Sequence, residues 1–296
     1  MIKNFFVICG GYACGTTFLS ESLRHHPDIG LIKRKDGREY NFFVNDFFYK
    51  KKGINWYKDL IKKNKKKIII DHSSQLLSSR KGINRLYNFN KKVKLIILLR
   101  NRITRTWADY RYSVLNGWEM LPFHLAIKIK RKKNKKIDKD LKKIQPYSYL
   151  ERSDYLKQLK YLFKKFNKNN ILILNSEDLN KNPKKNFLKV FNFLKIKKCK
   201  LKKVSNYSSF FIKNRKKQAS LRKYFNNNLN PLIEKIRANG KVEDSNFTPL
   251  QKKKFAELKK NILYKVPKIP KKSEEYLKKY FLKSKEELKK LSGFDL

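Results

Sequence analysis

Residues 7–29, VICGGYACGTTFLSESLRHHPDI, run from a short apolar stretch through a glycine turn into a stretch that reads as a helix opening at Thr16–Thr17. That order constrains the chain strongly. A strand feeding a glycine turn and a helix N-terminus is the layout of an anion-cradling loop. Gly10, Gly11 and Gly15 let the backbone turn tightly and approach a ligand. The N–H groups of residues 13–17 then point inward with the positive end of the helix dipole behind them, and Thr16 and Thr17 add hydroxyl donors. Two familiar versions of such a loop do not fit. The nucleoside-triphosphate pattern G-x4-G-K-[ST] needs lysine where Thr16 stands, and a Cys-x5-Arg phosphatase loop needs arginine where Ser20 stands. Cys14 has no acid–base partner near it in sequence and reads as a packing thiol rather than a nucleophile.

Further along, short apolar runs alternate with helical patterns. Phe5–Cys9, Ile29–Ile32, Ile68–Ile70, Val93–Leu99 and Ile171–Leu174 read as strands; Phe18–His25, Trp56–Lys63, Ile103–Leu115 and Asp154–Phe166 read as helices. Continuous apolarity within the strands, rather than alternation, predicts burial on both faces. The rhythm predicts a single α/β domain over residues 1–296, P-loop-like and three-layered, with a central parallel sheet flanked by helices. Ligands of such sheets sit at the carboxyl ends of the strands. The run 128–143 reads as a basic connection, residues 214–246 as irregular, and 273–291 as one amphipathic helix starting near Ser273.

Composition matters here through charge. Lysine and arginine total 75 against 24 acidic residues, a formal net charge of +51, and lysines outnumber arginines 61 to 14. Abundant Asn and Ile beside so much lysine point to compositional drift on solvated faces as the main source. The surface still attracts polyanions non-specifically. The charge alone raises a nucleic-acid reading, but no reader motif accompanies it. Three cysteines form no CxxC pair, which fits a reducing compartment and argues against a structural metal. The absence of a signal-like segment or membrane-length apolar run leads to the expectation of a cytoplasmic protein with no membrane span.

These motifs together resemble the sulfotransferases that use 3′-phosphoadenosine 5′-phosphosulfate, particularly the bacterial and heparan-sulfate-type branch. GGYACGTT and HHPDI are similar to that family's first loop and helix end. REYNFF (38–43) is similar to its K-E-x-x-F-F segment, and DHSSQLL (71–77) stands at its E-K-[ST]-P run. KLIILLRNRITRTWADY (94–110) resembles its strand ending L-R-N-P and the following helix, and the later segments follow in order to the end of the chain. The resemblance implies that Gly10, Ala13, Cys14, Gly15, Thr16 and Thr17 cradle the donor's 5′-phosphosulfate. It implies that Arg100 forks onto the 3′-phosphate, that Arg215 belongs to a basic loop over the nucleotide, and that Glu39 is the acceptor base. The family's loop lysine falls at Ala13, its second lysine at His72, its 3′-phosphate serine at Ala108 and its proline at Arg102. His72 is therefore expected to serve as a catalytic cation when protonated, with Arg102 or Arg105 reinforcing the 3′-phosphate site.

The implied activity is sulfuryl transfer from this co-substrate, without a metal, to a hydroxyl or amine on a saccharide or other anionic acceptor; Trp118 and Glu119 hint at acceptor contacts. The alternative is a catalytically degenerate nucleotide- or polyanion-binding protein of the same fold.

Overall fold

The computed structural model describes residues 4–35, 37–129, 148–201, 211–225, 229, 232, 236, 247–263 and 265–296. The chain forms two compact units. The first comprises residues 1–105, 152–204 and 281–296; the second comprises 106–151 and 205–280.

The first unit holds the main sheet. Its strands are β1 (Phe5–Gly10), β2 (Ile29–Ile32), β3 (Ile68–His72), β4 (Lys94–Leu99) and β5 (Ile171–Asn175), in the order β2-β3-β1-β4-β5. Every neighbouring pair is parallel. The apolar runs are continuous because helices cover both faces: Val7, Ile8 and Cys9 and all of Leu95–Leu99 are fully buried. The helices α1 (Thr16–Leu23), α2 (Gly53–Lys63), α3 (Arg80–Phe89) and α4 (Arg102–Leu115) follow β1, β2, β3 and β4. The expected three-layer α/β arrangement with a parallel sheet is what forms. With β1 central and its successors placed on either side, the carboxyl edge of β3, β1 and β4 is the switch point where such sheets take ligands.

Close approach fixes Gly10. A Cβ there would lie 2.2 Å from the Leu98 carbonyl oxygen, and the next residue, Gly11, donates its N–H to that same oxygen at 3.1 Å. The start of α4 is also fixed: Arg102, buried, donates from Nε to the Leu296 carbonyl, from Nη1 to Ser284 Oγ and from Nη2 to the Phe281 carbonyl. It ties residues 281–296 to the start of α4.

The second unit carries a two-stranded antiparallel ribbon, Phe211–Ile212 with Ile262–Leu263. Trp107, Tyr110, Phe123 and Phe211 pack ring to ring beside it. Asn261 Nδ2 donates to the Asn214 carbonyl and to Gln218 Oε1, locking the ribbon to the helix Arg215–Leu221.

Several expectations need correction. The stretch 214–246 is not irregular at its start: Asn214 caps the helix Arg215–Leu221 by accepting from the Lys217 N–H, and a further helical turn covers Arg222–Phe225. The final helix is two helices, Lys271–Leu282 and Lys285–Ser292, and the first begins after Pro270 rather than at Ser273. The short helix α1 ends at Leu23. His26 is buried and bridges Lys197 O through Nε2 and the Asp28 N–H through Nδ1, so it organises the turn that follows α1. Of the basic connection 128–143, residues 130–143 lie outside the described residues.

Candidate functional site

Residue pairing across the sheet assembles the site. Ile8 of β1 stands level with His72 of β3, and Gly10 stands level with Leu98 of β4. With strands about 4.8 Å apart, the glycine turn, His72 and Arg100 all issue from one edge of three adjacent strands.

The loop after β1 has an unusual backbone. Ala13 adopts φ 66° and Gly15 φ 83°, both left-handed. Gly15 takes this conformation without strain, whereas an alanine there stores some. Two arginines hold the turn by its carbonyls: Arg105 Nη1 donates to Tyr12 O at 3.3 Å and Arg100 Nη1 to Ala13 O at 3.4 Å. The Cys14 N–H closes the turn on the Gly11 carbonyl at 3.2 Å, and the Gly11 N–H is held by the Leu98 carbonyl. Gly15 is the N-cap of α1 and supplies no side-chain cap, so the first-turn N–H groups of α1 have no side-chain acceptor at the cap. Thr16 is buried and Thr17 exposed at that first turn. Cys14 is buried with Sγ 3.2 Å from Tyr155 OH, and burial pushes its thiol up to about 11. A thiol held protonated in this way is a packing group, in agreement with its reading from sequence.

Across the edge lies Glu39. Its Oε2 accepts three hydrogen bonds: from Ser74 Oγ at 2.7 Å, the Ser74 N–H at 3.2 Å and Asn41 Nδ2 at 3.0 Å. Asn41 is itself left-handed at φ 46°, a conformation Asn tolerates better than most residues. Its other partner is the Gln75 N–H, which reaches Asn41 Oδ1. Oε1 of Glu39 meets His72 Nδ1 at 3.2 Å. Ser20 Oγ lies 3.3 Å from the same nitrogen and gives its proton to the Thr17 carbonyl. Both neighbours of Nδ1 therefore act as acceptors, and Nδ1 carries the proton.

Burial works against the cationic role expected of His72. The ring is 2% exposed, and burial pulls its pKa below the ordinary histidine value despite the opposing Glu39 charge. A neutral imidazole at neutral pH supplies no cation for a leaving group. What His72 does supply is an N–H that orients Glu39 Oε1. Next to it, Asp71 is fully buried, accepts from Tyr57 OH at 2.7 Å, and is pushed up to about 7 by burial.

Arg100 sits at the end of β4 with its side chain 31% exposed. Its Nε donates to Thr104 Oγ1 at 3.1 Å and lies 3.5 Å from Glu177 Oε1. The carboxylate pairing is looser than a hydrogen bond, and the guanidinium is held at the loop by Thr104 and the Ala13 carbonyl. Arg102 is committed to the carbonyls of residues 281 and 296 and does not reinforce an anion site. Arg105 Nε donates to Ser153 Oγ at 2.6 Å and braces the loop as described. In the second unit Arg215 Nε donates to the Met120 carbonyl at 3.3 Å. Glu119 is fully buried, accepting from Tyr149 OH and the Leu121 N–H, which makes it a fold residue and not an acceptor contact.

One cation escaped the sequence reading. Lys33 follows β2 and sits level with His72, since Ile32 pairs with Asp71. In the sequence it lies in the charged run KRKDGRE and looks like any solvated lysine. No described group of His, Cys, Asp and Glu side chains is arranged to hold a metal ion.

Comparison with known proteins identifies a family and a fold. The family profile described as "Sulfotransferase domain" matches residues 4–273. Heparan sulfate glucosamine 3-O-sulfotransferase 3B1 of Mus musculus is 27% identical over 193 residues, covering 65% of this chain and 46% of that protein. Heparan sulfate glucosamine 3-O-sulfotransferase 5 of Mus musculus is 35% identical over 114 residues, covering 38% of this chain and 31% of that protein. The chain thus spans less than half the length of these relatives. A crystal structure of a sulfotransferase from Alicyclobacillus acidocaldarius superposes with a TM-score of 0.56 at 16% identity, covering 82% of this chain and 98% of the other, which supports the fold. With the profile matched over nearly the whole chain, the protein belongs to the sulfotransferase domain family.

Proposed function

We propose that the protein transfers a sulfuryl group from 3′-phosphoadenosine 5′-phosphosulfate to a hydroxyl or amine on a saccharide. The observation that carries the reading is the shared strand edge: the glycine turn that opens α1, Arg100, and His72 with Glu39 beside it lie at the carboxyl ends of β1, β4 and β3. An in-line displacement needs those three things. The backbone N–H groups of the loop, with Thr16 and Thr17, would hold the 5′-phosphosulfate, and Arg100 the 3′-phosphate. Glu39 Oε1 takes the proton of the acceptor O–H or N–H. As that proton leaves, the acceptor atom bonds to sulfur, the bond from sulfur to the bridging oxygen breaks, and its electron pair stays on the departing phosphate. Oε2, tied by Ser74 and Asn41, fixes the carboxylate so that Oε1 alone faces the acceptor. Arg215 is assigned to nucleotide binding on resemblance alone. The saccharide assignment draws on the names of the relatives.

A second reading, a donor-binding protein without turnover, is favoured by one observation: residue 13 is alanine and His72 is neutral, so neither expected cation is in place.

The test is calorimetry with 3′,5′-adenosine bisphosphate, followed by transfer of labelled sulfate to a glycan panel. Micromolar binding and measurable transfer are expected. Glu39→Gln is expected to keep the binding and slow transfer by about 10²–10⁴-fold, the usual effect of removing a general base. Absence of bisphosphate binding would remove the donor site. Binding with no transfer on any glycan would favour the second reading.

A further inference from the structure

We propose that Lys33 is the cation that meets the transferred sulfuryl group, in place of the lysine missing at residue 13. The inference rests on the donor reading above and assigns a residue that the resemblance does not.

Four observations support this assignment. It projects from the carboxyl end of β2, the same edge that carries the loop and His72. Its side chain is only 22% exposed, unlike the solvated lysines that dominate this chain. Burial pulls its ammonium below the ordinary lysine range, while Glu39 opposes that pull. Its charge is also felt by His72, which it helps keep neutral. So the ammonium lies within electrostatic reach of both groups that define the acceptor side of the site.

Its resting partner permits movement. Lys33 Nζ pairs with Glu21 Oε1 on α1, the helix that opens at the loop. Glu21 Oε2 holds a second cation, Arg24 Nε, at 3.1 Å. Lys33 can therefore leave Glu21 without stranding a carboxylate, which would otherwise oppose the move. A lysine stem is long and flexible, and its ammonium serves as a movable point charge.

This placement differs in kind from a loop lysine. A cation at residue 13 would neutralise charge on the bridging oxygen. A cation beside Glu39 contacts the peripheral sulfuryl oxygens, which also carry charge in the transition state. It would draw the sulfuryl group toward the acceptor side, as Glu39 takes the acceptor proton.

The experiment compares the donor with 3′,5′-adenosine bisphosphate, which lacks the sulfuryl group. For Lys33→Met and Lys33→Gln, donor affinity by calorimetry is expected to fall about tenfold, the usual scale for a lost charge-assisted contact. Bisphosphate affinity should stay within about twofold. On the unaltered protein, mass spectrometry after limited acylation reports Lys33 directly. The donor should slow acylation of Lys33 more than the bisphosphate does. If both nucleotides lose affinity equally, or both protect Lys33 equally, Lys33 does not meet the sulfuryl group and the proposal fails while the donor site stands. If the unaltered protein binds neither nucleotide, the donor reading itself falls.

Discussion

At the residue scale the site shows how burial changes the meaning of a side chain. His72 was legible as the position of a lost lysine, but its role was not. Sequence gives a histidine near a glycine loop; only packing shows that burial pulls its pKa down and that its Nδ1 meets Glu39. Lys33 was illegible for the opposite reason. Among 61 lysines, one that is half-buried carries no mark of its own. The place of Arg100 at the end of β4 was legible; its Nη1 donates to the Ala13 carbonyl, and its role toward a 3′-phosphate is a proposal. Arg100→Ala is expected to reduce bisphosphate affinity by about 2 kcal/mol or more, the scale of a charge-assisted pair. Calorimetry within a factor of two of the parent would place the 3′-phosphate elsewhere.

Asp71 gives a second residue-scale expectation, in stability. Its carboxyl holds a proton up to about pH 7 in the fold, whereas in the unfolded chain it ionises near ~3.9. A folded value raised above the unfolded one means that this group's contribution is full below pH ~4 and is lost as pH rises toward 7. Its Oδ1 has no partner, which a neutral carboxyl tolerates better than a carboxylate. Asp71→Asn keeps an oxygen for Tyr57 OH and cannot ionise. Chemical denaturation at pH 5 and pH 8 should show a smaller loss of stability between the two for the variant than for the parent. An equal loss in both would mean that Asp71 is already ionised in the fold at pH 5.

At the element scale the strands were the legible part. Most are continuous apolar runs, and a strand buried on both faces, as β1 and β4 are, leaves little else for such a run to be; β5 is only partly buried. Ile29–Ile32 was read to the residue. The helices were read less well. α3 went unnoticed because RKGINRLYNF carries only a thin apolar stripe and an interior glycine, although Ser79 caps it by accepting from the Gly82 N–H. The terminal segment read as one helix because its apolar spacing continues, while the chain turns at 283–284 to let Ser284 meet Arg102. The junction of β1 with the loop is the element whose geometry is least tolerant. Gly10→Ala would drive a methyl into the Leu98 backbone oxygen, and backbone cannot yield as a side chain can. A loss of about 3 kcal/mol in unfolding free energy is expected, at the upper end for overpacking. A loss under about 1 kcal/mol would mean that β1 and β4 separate more easily at this end than their pairing implies.

At the scale of the whole molecule the net charge of +51 and the donor site make different demands on a ligand. Lysines spread over solvated faces attract any polyanion, and that attraction works by releasing counterions. Affinity for heparin or single-stranded DNA should therefore fall steeply and linearly on a log–log plot against salt, with a slope of roughly −0.7 per phosphate neutralised on a single strand. The donor site is built differently. As proposed, its anion contacts would come from loop N–H groups, in a turn that Arg100 and Arg105 brace by its carbonyls, and from few charges held close to the ligand. Partly buried contacts are screened far less than exposed ones. Bisphosphate affinity measured between 50 and 300 mM salt is expected to change by about tenfold or less, while polyanion affinity falls by about a thousandfold or more. The two should also separate by competition. At high salt, excess bisphosphate should bind fully while DNA is released; at low salt, saturating bisphosphate should displace little DNA, because most of the charge lies away from the loop. If bisphosphate and DNA instead showed the same salt slope and displaced each other stoichiometrically, nucleotide binding would be only one instance of general anion attraction. The strand-edge cradle would then have no selectivity of its own.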